Sequence, residues 1–160
     1  MRRMSKLFSI SIITVFLFLA TFMIDNKKVE ALYYPDSYYD AVSWIYQYQA
    51  PYTWSYNCLG WATGSMTFEW PSNWGNGGTK QQVDSYMIFK GYKVSNLSPS
   101  LKSTRIISYG PSVNNITHFS KVTPTAVTAK WGSLERFTHF ISIDPYYANS
   151  DYGLSRGNYF

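Results

Sequence analysis

Cys58 is the only cysteine among 160 residues. No intramolecular disulfide is available, so any fold must be held by its apolar core and its backbone hydrogen bonds. The N-terminus sharpens this constraint. Arg2, Arg3 and Lys6 precede an uncharged apolar run from Leu7 to Ile24. Polar residues return at Asp25 to Lys28, and Val29-Glu30-Ala31 places small side chains at the two positions a signal peptidase reads. This three-part pattern reads as a secretory signal, residues 1–31, ahead of a mature domain, residues 32–160. The apolar run is close to membrane-spanning length, so a retained N-terminal anchor is the alternative. With no cysteine near the cleavage region, a lipoprotein anchor is excluded. Exported chains usually pair their cysteines or lack them, so a lone thiol needs a reason.

The 129 residues that remain suffice for one domain around one core. The whole-chain charge of +5 overstates the basicity, because Arg2, Arg3, Lys6, Lys27 and Lys28 leave with the signal, as do Asp25 and Glu30. Nine basic and seven acidic residues stay, a net charge of about +2. No basic cluster of the kind nucleic acid requires remains, and no membrane segment is expected after cleavage. All 15 tyrosines and all 6 tryptophans lie in the mature part. Tyrosine buries a ring while keeping a polar tip wet. The aromatic content therefore reads either as a core with a Tyr-rich surface or as a groove that stacks on sugar or peptide.

Periodicity predicts helices first and strands after. Asp36 caps a first helix whose Ala41, Trp44, Ile45 and Tyr48 share one face, and Pro51 stops it. A second helix begins near Cys58 and runs to about Ser65; Gly60 and Gly64, four apart, let another backbone approach. Glu69 to Gly78 reads as a loop. Thr79 caps a third helix through about Lys90, ended by Gly91. Strands are predicted at Tyr92–Ser95, Arg105–Tyr109, Ile116–Thr123, Ala126–Trp131, Phe137–Ile143 and Tyr152–Phe160. That order argues an α+β domain, N-terminal helices packed on an antiparallel sheet.

A cysteine at a helix N-terminus faces unpaired N–H groups and the positive end of the helix dipole, which favour the thiolate. The same groups can receive an oxyanion. His118, 60 residues on and at the start of a strand, is a candidate base. The competing reading is a packed structural thiol and a histidine satisfied at a strand end. Cys58, His118 and His139 offer no close pair of metal-ligand spacing, so no metal and no cofactor is expected.

These residues resemble the papain-like cysteine hydrolases of the NlpC/P60 kind, and more closely a group of small bacterial proteins related to them. The matching stretches begin with Asn57-Cys58-Leu59-Gly60-Trp61-Ala62 with Gly64, Trp70-Pro71, Gly91-Tyr92 and Thr117-His118-Phe119. They continue with Ala129-Lys130-Trp131-Gly132, Arg136-Phe137-Thr138-His139, Asp144-Pro145 and Tyr152-Gly153, in that order. The resemblance implies a papain-like core with Cys58 as nucleophile and His118 as base, cleaving an amide or peptide bond, with cell-wall peptide as a substrate. The family's third residue is missing, because Ala129-Lys130-Trp131 stands where an orienter belongs. His139, Asn57 or Asp144 is left to fill that role, while Lys130 and Trp131 read as a structural hairpin end. Trp54, Tyr56, Trp70 and Trp74 are the expected groove. The alternatives are a non-catalytic wall- or partner-binding module and a secreted toxin or effector. All three place the chain outside the cell, with wall association open, and none fixes an oligomeric state.

Overall fold

The computed structural model describes residues 32–35, 37, 47–139, 141 and 155–160. The expected signal and most of the expected first helix lie outside the described residues, as does Asp144. All described residues belong to the unit Leu32–Phe160.

Seven strands form one antiparallel sheet: β1 (Gln47–Ala50), β2 (Val94–Ser95), β3 (Ile106–Tyr109), β4 (His118–Val122), β5 (Val127–Lys130), β6 (Arg136–His139) and β7 (Ser155–Tyr159). Their spatial order is β1-β6-β5-β4-β3-β7-β2. Strands β3 to β6 form a meander, as the β-branched and aromatic runs between turn residues require. Strand β7 returns to pair with β3, Ile107 opposite Asn158. Two helices are described, α1 (Cys58–Thr63) and α2 (Lys80–Phe89). Asn57 caps α1 with its side chain, and Gly64 closes it at φ 80°. Thr79 and Gln82 form a capping box at the start of α2. A Cβ on Gly60 would fall on the Thr67 carbonyl, so the backbone that approaches this glycine is the chain's own next loop.

The expected papain-like arrangement of N-terminal helices on a sheet is not what the chain forms. The described residues are mainly a seven-stranded sheet, and α1 and α2 are only six and ten residues long. Tyr48, assigned above to a helix face, sits in β1 opposite Phe137. Gln47-Tyr48-Gln49-Ala50 alternates with period two, and pairing with β6 overrides the helical spacing of Tyr48 with residues before it.

Strand alternation sends neighbouring side chains to opposite faces. Ile106, Phe119, Lys121, Thr128, Lys130, Arg136 and Tyr159 share the face covered by the helices. The core there joins Cys58, Leu59, Ala62, Val83, Met87, Ile106, Phe119 and Tyr159. Ile107, Tyr109, His118, Ser120, Val122, Val127, Phe137 and His139 share the other face. Leu101 and Ile141 pack on its centre, and Tyr48 and Leu134 toward β6.

Candidate functional site

Cys58 begins α1 because Asn57 fixes the turn before it. Asn57 Oδ1 accepts from the Gly60 N–H at 3.0 Å and the Glu69 N–H at 3.3 Å, while its Nδ2 donates to the Glu69 carbonyl at 2.7 Å. The amide thus caps the helix and pins the following loop, and it does not orient a histidine. Cys58 itself is buried in the helix-side core, 5% exposed. Burial pushes its thiol up to about 11, against the N–H groups of Phe119, Leu59 and Cys58 itself and the charge of Lys130, which pull it down. Desolvation wins, so the thiol stays protonated at neutral pH.

His118 is on β4, one residue before Phe119, and the alternation that gives Phe119 to the helix side gives His118 to the other. It is 1% exposed. Burial, then the charge of His139, pushes it down to about 3, so the ring is neutral. Its ring centroid lies 6.4 Å from that of Tyr109, which is 6.0 Å from that of His139. His139 Nε2 is 2.8 Å from Ser120 Oγ. The structure therefore gathers His118, His139, Tyr109 and Ser120 on one face of the sheet, and Cys58, Phe119 and Lys130 on the other. The pair read from the sequence as nucleophile and base is divided by the sheet. Among the described residues, no three His, Cys, Asp or Glu side chains converge to hold a metal.

The four expected groove aromatics also part company. Trp54 is 70% exposed, whereas Trp74 is buried at 4%. Trp70 is half-buried and meets Trp74 edge to face at 5.3 Å. Tyr56 stacks on Trp61 at 6.2 Å. Of the four, Trp74 alone borders the open groove of about 450 Å³ beside α2, with Asn73, Gln82, Tyr86 and the exposed Phe89. Glu69 ties this region to α1. It accepts from Thr63 Oγ1 at 2.9 Å, Tyr86 Oη at 2.8 Å and Lys90 Nζ at 2.6 Å. Burial raises its carboxyl, but Lys90, Tyr86 and Thr63 together hold it below its usual value.

Two further features lie apart from the expected nucleophile and base. Lys130 is fully buried, its ammonium donating to the Gly132 and Leu134 carbonyls of the β5–β6 turn. Burial pushes it down to about 8, against the pull of Glu135 and Cys58. Gly132 sits at φ 59° in that turn, and Trp131 packs on Phe137 at 4.7 Å. Trp61 lies across the sheet, its Nε1 donating to Thr128 Oγ1 at 3.1 Å. Lys121 Nζ and the Arg136 guanidinium stand 4.9 Å and 4.0 Å from its ring centroid. A Trp on a helix, a threonine on β5 and cations on β4 and β6 meet only through the register.

A family model described as "Domain of unknown function (DUF7689)" matches residues 47–159, most of the chain, and the chain belongs to that family. No curated protein and no solved structure matches it.

Proposed function

For this member of a family whose description assigns no activity, we propose a non-catalytic module, exported and binding cell-wall material or a partner at the surface. The observation that carries this reading is the separation of Cys58 and His118 by the sheet, with the thiol buried and protonated. A cysteine nucleophile needs an accessible thiolate and a base within hydrogen-bond reach. The open groove beside α2, bordered by Trp74, Tyr86 and the exposed Phe89, offers a surface for such binding.

The test is sedimentation of the mature chain with isolated wall material, run beside the Cys58→Ser variant. Binding that survives the substitution, with no amide product released, is the expected result. Wall-peptide cleavage that disappears in Cys58→Ser overturns the reading in favour of a thiol hydrolase. One observation favours that second reading: the Phe119 and Leu59 N–H groups and Lys130 all act on the sulfur in the direction that stabilises a thiolate.

A further inference from the structure

Three cations stand on the helix-side face of the sheet around two stacked aromatic rings. Arg136 and Lys130 are directly opposite each other on β6 and β5, and Lys121 is opposite Thr128 on β4 and β5. Like charges placed directly across a ladder repel. Lys130 lies 5.7 Å from the Tyr56 ring, and Tyr56 stacks on the Trp61 ring that Lys121 and Arg136 flank. Lys130 is engaged by two carbonyls. Lys121 and Arg136 are half-buried, and among the described residues neither makes an ion pair or donates a hydrogen bond. The two described ion pairs use Asp84 and Glu69 with Lys80 and Lys90 of the α2 region. Glu135 is buried, its Oε1 accepting from the Tyr33 N–H.

Two cations with no anionic partner among the described residues have a chemical meaning. A guanidinium resting on an indole uses its face for the ring and leaves its edge of N–H donors for a planar or tetrahedral oxyanion. An ammonium beside the same ring adds a point charge from another direction. A phosphate, whose oxygens point several ways, can accept from both.

We infer that Trp61, Lys121 and Arg136 form a binding site for the phosphate groups of an anionic phosphodiester polymer. This inference rests on the binding-module reading and names its ligand. Charge complementarity chooses the occupant: no carboxylate of the described residues reaches these two cations, and the rings hold them in place for an anion from outside.

The experiment titrates the mature chain with a short glycerol-phosphate oligomer, with inorganic phosphate and with a neutral dextran, by calorimetry at low and physiological salt. The expected result is oligomer binding that weakens with salt and no dextran binding. Inorganic phosphate competes weakly, because it offers one group instead of a repeat. Lys121→Gln with Arg136→Gln lowers oligomer affinity on the order of tenfold or more. Arg136→Lys, which keeps the charge and the packing stem but loses the fork, gives an intermediate loss and guards against a variant that fails to fold. Unchanged affinity in Arg136→Lys and in the folded double variant overturns the site, as does oligomer binding no tighter than dextran. Wall material stripped of phosphate polymers separates the two readings. If the chain sediments with it while the oligomer does not bind, this site falls and the module stands; if neither binds, both fall.

Discussion

The two faces of the sheet obey different chemistry although the same strands build them. The helix-side face holds a buried thiol, a fully buried lysine and a pair of unpaired cations around Trp61. The opposite face holds a buried neutral histidine, a second histidine, a tyrosine and a serine. Strand β4 contributes to both, sending Phe119 one way and His118 the other. Residues adjacent in sequence thus end in sites that cannot react with each other. Closeness in a motif is no guide to closeness in a sheet, where the period is two.

Replacing a core residue on the helix side has the largest expected effect on this comparison. Phe119→Ala removes the ring that meets Trp74 and Trp70 at 5.9 and 6.1 Å and leaves a cavity under α1. A loss of about 3–5 kcal/mol is expected from urea unfolding, with Cys58 alkylation accelerated as its cover opens.

The opposite face is separated from it by acid. The folded His118 is held down to about 3, while the unfolded one titrates near 6.5. Below pH 6.5 the unfolded chain takes up a proton that the folded chain refuses. Stability therefore falls as pH drops from 6.5 toward 3, by up to about 1.4 kcal/mol per pH unit. Urea midpoints for His118→Leu are expected to lose much of that slope, whereas a helix-side variant such as Lys121→Gln keeps it. An unchanged slope in His118→Leu contradicts the placement of the ring.

The cap before Cys58 sharpens the comparison at a smaller scale. Asn57→Ala removes a helix cap and the tie to Glu69, and about 1–2 kcal/mol is the expected cost in thermal or urea unfolding. A residue that oriented His118 would instead alter that histidine's titration, which NMR reports directly. The smallest effect is expected at Met66, a non-glycine residue at φ 57° in an exposed loop. Met66→Gly relieves the left-handed backbone and is expected to stabilise by about 0.5 kcal/mol, part of the relief being offset by glycine's entropy.

Much of the local structure was legible in the residues. Thr79 and Gln82 announce the start of α2, Gly91 at φ 90° follows its end, and the turn residues Pro124 and Gly132 bracket β5. The architecture was not legible, because the short β1 carries a tyrosine at helical spacing, and edge pairing with β6 is a long-range fact. The placement of Cys58 and His118 on opposite faces was not legible for a related reason. Cys58 at a helix start and His118 at a strand start were both placed correctly in their elements. Which face of β4 the helix covers depends on packing across the whole sheet, and Phe119, being apolar, takes that face. The meeting of Trp61, Lys121 and Arg136 was not legible, because the register of β4, β5 and β6 brings them together.

The separation of thiol and imidazole is tested most directly by the pH dependence of Cys58 alkylation, measured with and without His118→Ala. The account predicts a thiol slower than a free peptide thiol, with an apparent pKa above the ordinary value of about 8.5 and no response to the substitution. A fast thiol whose apparent pKa lies well below that value, and rises when His118 is removed, would contradict it.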